Sequence, residues 1–382
     1  MGINRCYRTE DFRRLARRRL PSPLYHYIDG GADDETTLRR NTDAFEEVDL
    51  VPNVLAGVSN VDLTTQVLGQ TLKVPFFFSP TAMQRLFHHD GEFAIARAAE
   101  QLGTLFGVST IGTRSIEELG SGYAGPKLFQ IYIHRDPELN QDLVQRCRAA
   151  GFSALALTVD TVVAGNRERD FHTGMTTPPR LTLKSLASFA THPGWTFNYL
   201  LREKFDLPNV SRYISAGSGV AASVMEYIDS QMKPDISWDD AAELVQQWDG
   251  PFAIKGIMSV ADARRAVDIG ASAIMVSNHG GRQLDGSRSP FDQLPAIADA
   301  VGGEIEIILD GGVRRGTHVL KAIAAGATAV SGGRFYLYPL AAGGAPAVLR
   351  AAELLKEEVT RNMMLMGVDR LSKLNPEMLA AR

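Results

Sequence analysis

Two cysteines, Cys6 and Cys147, are all that 382 residues carry. They have no metal-type spacing, which excludes a cysteine-ligated metal site and points to a reducing cytoplasm. H-E-x-x-H, C-x-x-C and EF-hand spacings are also missing, and the adjacent His88 and His89 read as loop surface, so no metal is expected. No run of about 18 apolar residues occurs and no apolar h-region follows the Arg-rich start, so neither a transmembrane helix nor a signal peptide is expected. Neither sign of charge dominates: 40 Lys+Arg against 44 Asp+Glu leave a net charge of -4, and without a basic stripe nucleic acid is excluded as a partner. A composition that is 45% hydrophobic and 22% charged rules out a disordered or collagen-like chain.

Glycine, by contrast, is plentiful but dispersed, which implies many short turns. From Val74 onward one theme recurs: a short apolar run, a polar or glycine-rich cluster, then a segment of helical periodicity. Strands are expected at Val74–Ser79, Leu105–Val108, Lys127–Ile131, Ala154–Thr158, Phe252–Lys255, Ala273–Ser277, Ile305–Leu309 and Ala327–Ser331. Helices are expected between them, for example Glu92–Gln101, Leu139–Ala149, Asp239–Gln247, Val260–Ile269, Gln293–Val301 and Thr317–Ala325, with Ala345–Arg361 after the last strand. Eight such units predict an α/β fold, a (β/α)8 TIM barrel, in a single domain spanning 1–382. Residues 74–361 form the barrel, 1–73 an N-terminal helical extension, 170–235 a long insertion after strand four, and 362–382 a tail. In the extension Thr9, Glu10 and Asp11 read as the N-cap and acidic first turn of a helix with Arg13, Arg14, Arg17, Arg18 and Arg19 on a solvated face, the lesser reading being a docking patch for anionic lipid. The insertion mixes Phe189, Trp195, Phe197, Tyr199, Phe205, Tyr213 and Tyr227 with Lys184, Arg202, Lys204 and Arg212. That composition suits either a peripheral membrane contact or packing on the barrel or a second subunit.

In a barrel the strand ends meet on one face, the face that carries active sites. Strands seven and eight end in LDGGVRRG (309–316) and SGGRF (331–335), glycine loops flanked by Arg314, Arg315 and Arg334, and these predict phosphate binding. Strand six runs into SNHGGRQLDG (277–286), which places His279, a base of near-neutral pKa, three residues from Arg282, a carboxylate fork. Asp160, Arg167 and Lys255 end neighbouring strands. Asp160 either holds His279 or pairs with Lys255. GSGYAG (120–125) and GSGVAA (217–222) mimic a dinucleotide loop but lack the preceding strand.

These segments resemble the FMN-dependent α-hydroxy acid oxidases and dehydrogenases, which include glycolate oxidase, L-lactate dehydrogenase and mandelate dehydrogenase. SNHGGRQLDG, LDGGVRRG, SPTAMQ (79–84), FQIY (129–132), ALTVDT (156–161), IKG (254–256) and LYHYIDGGADDE (24–35) fall in family order along nearly the whole chain. The resemblance implies FMN as cofactor and oxidation of an L-2-hydroxy acid to the 2-oxo acid. His279 would be the base, paired with Asp160; Arg282 and Arg167 would clamp the substrate carboxylate; Tyr25 and Tyr132 would supply hydroxyls; Lys255 would sit by the N1/O2 edge of the flavin. Pro80, Thr81, Ala82, Ser109, Gln130, Thr158 and Ser277 would hold the ring, and Asp310, Gly311, Gly312, Val313, Arg314, Gly333 and Arg334 the phosphate. Ile111 stands where glycolate oxidases carry a pocket Trp, and Ala164 replaces a bulky aliphatic residue, so a substrate larger than glycolate is expected: L-lactate first, then mandelate or a longer 2-hydroxy acid. A quinone or another electron acceptor, a homotetramer, and a place in the cytoplasm or at the inner face of the cell membrane complete the expectation. An oxidase using O2 and a barrel that only binds a phosphorylated ligand remain as alternatives.

Overall fold

A computed structural model describes residues 2–176, 179–211 and 231–382. Tyr213, Tyr227, Arg212 and the GSGVAA segment lie outside these residues. Eight parallel strands close into a barrel in the order β7-β8-β1-β2-β3-β4-β5-β6. They are β1 (Phe76–Thr81), β2 (Phe106–Ser109), β3 (Lys127–Ile131), β4 (Ala154–Thr158), β5 (Phe252–Ile257), β6 (Ala273–Val276), β7 (Glu306–Asp310) and β8 (Ala329–Gly332). All eight expected strands are present, with ends displaced by no more than two residues.

Side chains alternate across each strand. The inward series Phe77, Leu128, Ala156, Ala253, Met275, Ile308 and Ala329 fills the barrel interior. Two residues further on, each series reaches the C-terminal mouth and turns polar, at Ser79, Gln130, Thr158, Lys255, Ser277, Asp310 and Ser331. The outward phenylalanines Phe76, Phe78, Phe106, Phe129 and Phe252 are buried beneath the surrounding helices. At the opposite end a two-stranded hairpin, Thr65–Val67 with Gln70–Leu72, closes the barrel, tied by the Leu68 amide donating to the Glu306 carboxylate at 2.6 Å.

The extension supplies α1 (Thr9–Arg19), α2 (Ser22–Asp29) and α3 (Thr36–Asp43). The expected N-cap shifts by one residue: Arg8 occupies that position, Thr9 is already helical, and its hydroxyl donates to the Arg314 carbonyl at 3.0 Å. Asp11 turns back to accept the Tyr7 amide at 3.0 Å. Helices α4 (Gly91–Leu102), α5 (Ile116–Gly122) and α6 (Pro137–Ala149) follow the first three strands. After β4 the chain forms α7 (Glu168–Thr173), α8 (Leu183–Ala190) and α9 (Pro193–Leu200) before α10 (Trp238–Trp248). Three further barrel helices, α11 (Val260–Asp268), α12 (Pro290–Val301) and α13 (Gly316–Ala324), precede α14 (Arg334–Leu365). The last is two helices joined at Gly343 and Gly344, where the backbone leaves helical geometry. There the His88–Asp90 loop packs in, and a Cβ on Gly344 would lie 2.5 Å from Asp90 Oδ2. Asp90 accepts the Ala345 amide at 3.2 Å and so caps the second half.

Segment 179–211 is docked on the barrel. Trp195 donates to the Leu86 carbonyl at 2.7 Å, buried Arg85 donates to the carbonyls of Glu203 and Lys204, and Leu207 and Val210 pack against Met83. Its outer side leaves Leu183, Leu186, Phe197, Leu200 and Leu201 exposed.

Candidate active site

A cavity of about 360 Å³ opens at the barrel mouth, bounded by β1–β5, β7 and β8 together with α2 and the loops after β4 and β6. Of the expected site residues it brings together Pro80, Thr81, Ala82, Ser109, Gln130, Tyr132, Thr158, Arg167, Lys255, His279, Arg282, Asp310, Gly311, Gly312, Arg314, Gly333 and Arg334. Ile111 and Ala164 line it as well.

The histidine is held from two sides. His279 Nδ1 lies 3.0 Å from Asp160 Oδ1, so with a proton on Nδ1 the other nitrogen keeps its lone pair. Its backbone is left-handed, φ 56°, followed by Gly280 and Gly281 at 67° and 73°. A β-carbon bearing residue in that region is strained, and the turn is fixed by the Gly281 amide on the Asn278 carbonyl at 3.1 Å. Asn278 is itself paired with Asn41 of α3.

Lys255 settles the choice left open by the sequence. Its ammonium sits 2.9 Å from Asp310 Oδ2 and 3.0 Å from Ser277 Oγ, while Asp160 faces His279. Burial opposes both charges in this pair. The facing partner outweighs it on both sides, with the hydroxyls of Ser331 and Ser277 helping to hold Asp310 below its ordinary value and the charge of Asp160 helping to hold Lys255 above its own. Ser277 therefore lies behind the cavity wall as a bridge between the two charges. Burial, then the nearby Asp160 charge, pushes the Tyr132 hydroxyl well up, so it stays protonated and able to donate.

Two arginines, Arg282 and Arg167, line the cavity beside Tyr27. Arg282 spends Nη1 on the carbonyls of Tyr27, at 2.6 Å, and Gly30, at 3.2 Å. Its guanidinium lies 4.8 Å from the centre of the Tyr27 ring and that of Arg167 lies 5.9 Å from it. Burial, then the like charge of Arg167, draws Arg282 down to about 10. Such a pair is matched to an incoming carboxylate.

Tyr25 is displaced from its expected place. It is buried against Arg17 and near Asp29 and does not reach the cavity; Tyr27 lines it instead. Residues two apart on a helix are about 200° apart around its axis, so only one of them can face the mouth. Val313 is also buried off the wall, where its carbonyl accepts from Arg314 Nη1 at 2.7 Å. Apolar wall residues without a chemical signature went unnoticed in the sequence: Phe87, Val162, Val163, Met232 and Leu337.

The residues fit FMN on three independent observations. Gln130 Nε2 and Thr158 Oγ1 are buried without a hydrogen-bond partner, as the edge of a hydrogen-bonding ring system requires. Lys255 supplies a fixed ammonium next to them. Across the cavity Arg314 has no carboxylate within ion-pair distance among the described residues, and burial draws it down to about 10. It lies beside Gly311, Gly312 and Gly333, a seat for an anion.

A barrel mouth that joins a ring seat, an anion seat, a histidine–carboxylate pair and two arginines defines a flavin mononucleotide oxidoreductase acting on a carboxylate. Comparison with known proteins narrows the class. The sequence model described as FMN-dependent dehydrogenase matches residues 16–381, and the chain belongs to this FMN-dependent family. It is 42% identical over 370 residues to an L-lactate dehydrogenase of Alcaligenes faecalis, covering 97% of each chain. The crystal structure of the monotopic membrane protein (S)-mandelate dehydrogenase superposes with a TM-score of 0.94 at 33% identity, covering 99% of this chain and 100% of that one. A structure of a mandelate oxidase mutant with (S)-mandelic acid gives a TM-score of 0.81 at 33% identity, covering 99% of this chain and 98% of that one. The chain is thus an FMN-dependent 2-hydroxy acid oxidoreductase.

Proposed function

We propose that this chain oxidises L-lactate to pyruvate and passes the electrons to a quinone. The observation that carries the chemistry is the apposition, across one cavity, of the His279–Asp160 pair with Arg282, Arg167 and Tyr27. FMN, when bound, accepts the two electrons released. Pro80, Thr81, Ala82, Ser109, Gln130 and Thr158 would hold its ring, and Arg314, Arg334 and the glycines of the two loops its phosphate. Arg282 and Arg167 bind the substrate carboxylate and, with the Tyr27 hydroxyl, leave C2 as the group nearest His279. Nδ1 donates to Asp160, so Nε2 takes the proton, and the Asp160 charge stabilises the imidazolium that forms. Tyr132 donates to the reacting oxygen. Lys255, anchored by Asp310, would place a positive charge beside the ring of a bound FMN and so favour its taking up electrons.

Around the substrate side chain the wall is apolar: Phe87, Ile111, Val162, Val163, Ala164 and Met232. This favours the lactate methyl over the unsubstituted carbon of glycolate, and the identity to the Alcaligenes L-lactate dehydrogenase supports the same choice. The small Ala164 and the high superposition on (S)-mandelate dehydrogenase favour an aromatic 2-hydroxy acid as the second reading. A quinone acceptor accords with the exposed Leu183, Phe197, Leu200 and Leu201 beside Lys184, Arg202 and Lys204, a face suited to an anionic membrane surface. No helix among the described residues is long and apolar enough to cross one, so the contact would be peripheral.

Anaerobic mixing of the holoenzyme with L-lactate, glycolate and (S)-mandelate, followed by flavin bleaching, tests the reading. Fastest bleaching by lactate is expected, and His279→Gln should keep FMN but lose bleaching by roughly 10²–10⁴-fold. Normal bleaching in that variant refutes the assignment of the base. Reoxidation by O2 as fast as by a quinone analogue refutes the acceptor.

A further inference from the structure

Asp29, at the end of α2, is 4% exposed and touches neither the cavity nor any reacting atom. Its carboxylate nevertheless gathers three donors from separate parts of the chain. Arg13 of α1 donates from Nε at 2.6 Å and Nη2 at 3.1 Å, Arg169 of α7 from Nη1 at 2.9 Å, and the Tyr338 hydroxyl of α14 at 2.8 Å. Arg169 continues through its other nitrogen to Glu35, which accepts the Gly31 amide at 2.9 Å. Burial alone would raise the Asp29 carboxyl, but Arg13, Tyr338 and Arg169 outweigh it and hold it well below the usual carboxylate range.

The placement of this knot relative to the substrate end is specific. Tyr27 lies two residues before Asp29, and Arg167 lies two residues before Arg169. The Asp29–Arg169 pair therefore joins the two chain segments that deliver a cavity tyrosine and a cavity arginine, and the Arg167 guanidinium sits 5.9 Å from the Tyr27 ring centre. The same turn is gripped from the barrel side. Arg282 donates to the Tyr27 and Gly30 carbonyls, while Arg334 donates to Ile28 at 2.8 Å and Gly30 at 2.7 Å. Residues 27–30 are thus held by four arginines through three backbone carbonyls and one carboxylate, and Asp29 is the one negative charge among them. Gly30 is required by the crowding: a Cβ there would lie 2.8 Å from the His26 carbonyl and 3.3 Å from Arg169 Cδ.

We infer that Asp29 is a positioning residue for the substrate-carboxylate clamp, holding Tyr27 and Arg167 in register over Arg282 through its pair with Arg169. The inference rests on the functional reading above. Asp29→Asn weakens both arginine pairs while keeping size and one hydrogen-bond acceptor. The turn and the start of α7 then lose their common tether, and two of the groups that meet the carboxylate lose their relative placement. Asp29 makes no hydrogen bond to His279, Asp160, Lys255 or Arg314, and its charge is only a minor influence on Arg314. A positioning role therefore acts on substrate binding and spares the chemical step and FMN.

The test uses the holoenzyme with L-lactate as substrate and compares wild type, Asp29→Asn, Asp29→Glu and Arg169→Met. Losing charge-assisted hydrogen bonds that order the clamp is expected to raise KM about 10- to 100-fold, with kcat within about threefold and FMN affinity within about twofold of wild type. Asp29→Glu should recover most of the KM, and Arg169→Met, which leaves Arg13 on Asp29, should raise it like Asp29→Asn. Unchanged KM in Asp29→Asn overturns the inference. So does a joint fall of KM performance, kcat and FMN affinity that Asp29→Glu does not rescue, because that pattern describes a residue needed only for folding. If Asp29→Asn gives no folded holoenzyme, Arg169→Met decides: a raised KM supports the inference and an unchanged one overturns it. Wild-type holoenzyme that lactate, glycolate and mandelate all fail to bleach overturns the functional reading and this inference together, whereas normal wild-type turnover with unaltered variants overturns this inference alone.

Discussion

Arg314 offers a quantitative test of the anion seat. Burial draws its pKa down to about 10 against the opposing pull of Tyr338, and the like charges of Arg334 and Arg13 act in the same direction as burial. At about 1.4 kcal/mol per pKa unit, the charged guanidinium carries a penalty of at most about 3.5 kcal/mol in the protein without an anion, reduced by whatever water the cavity admits. A phosphate in the seat removes that penalty and accepts the remaining donors. Arg314→Met keeps the stem and deletes the charge, so FMN should bind about 100-fold more weakly, the equivalent of about 3 kcal/mol. Riboflavin, which shares the ring but has no phosphate, should bind wild type and variant alike. Without any flavin the sign reverses. A chain of this length has an unfolding entropy near 0.8 kcal/mol/K, so the variant apoprotein should melt about 2–4 °C higher than wild type. Flavin fluorescence quenching gives the two affinities, and thermal melts of apo- and holoprotein give the stabilities. Variant FMN affinity within about threefold of wild type, or an equal loss for riboflavin, would falsify the assignment of Arg314 to the phosphate.

Three further outcomes are expected. Tyr27→Phe should raise KM for lactate about 10-fold by removing one hydrogen bond to a charged group, whereas Tyr25→Phe should leave it within about twofold; equal effects would show that the two faces of α2 have been confused. Ile111→Trp should lower kcat/KM for mandelate at least about 100-fold, and that for glycolate by no more than about fivefold, since overpacking acts only on the larger side chain; parallel losses would place Ile111 away from the substrate. Glu92 is fully buried, and burial raises its carboxyl above the ordinary 4.5 in spite of the Thr113 amide and hydroxyl it accepts. A raised acid is most stabilising while protonated, so its contribution is full below the unfolded pKa and declines as pH rises toward the folded one. Glu92→Gln should therefore flatten the fall of Tm across that range and leave the variant about 1–3 °C more stable at pH 8, from roughly 1–2 kcal/mol of relieved burial; a Tm that drops at every pH would mean that the carboxylate is satisfied there.

The barrel was legible because one physical rule, alternation of side chains across a strand, writes itself directly into the sequence. Ala156 to Thr158, Ala253 to Lys255, Met275 to Ser277 and Ile308 to Asp310 are each one inward step, from an apolar interior to a polar mouth. Closure of the barrel then brings together residues more than 100 positions apart, such as Asp160 and His279, without any further information. Where a residue's place depends on rotation about an axis, or on which of several neighbours it meets, that rule is silent. Lys255 had two carboxylates within reach of the mouth, Asp160 and Asp310, and its choice of Asp310 follows from the barrel's stagger, which aligns β5, β6 and β7 so that Ser277 bridges the pair.

The same limit explains Tyr25 and Asp29, and it shows what the extension contributes. Tyr25, Tyr27 and Asp29 are spaced by two residues on α2, a helix that the sequence pattern of LYHYIDGG does not orient, because apolar and polar residues fall on all its sides. Orientation comes instead from tertiary ion pairs. Arg13 and Arg169 take Asp29 to the rear of the turn, Arg282 and Arg334 take its carbonyls to the front, and Tyr27 is left facing the mouth. Arg13, singled out in the sequence as one of a solvated row, is half inside this arrangement, and the Asp29 carboxylate beside it raises its pKa in spite of burial. Arg13 and Arg169 are counterbalanced by the carboxylates of Asp29 and Glu35, whereas Arg282 and Arg334 donate to backbone carbonyls, which carry no charge. The second pair faces the cavity. A near-neutral chain thereby keeps an excess of positive charge at the mouth, where a phosphate and a carboxylate must both be held, with Asp29 and Glu35 answering arginines on the other side of residues 27–30 and Asp170 standing 3.9 Å from Arg167.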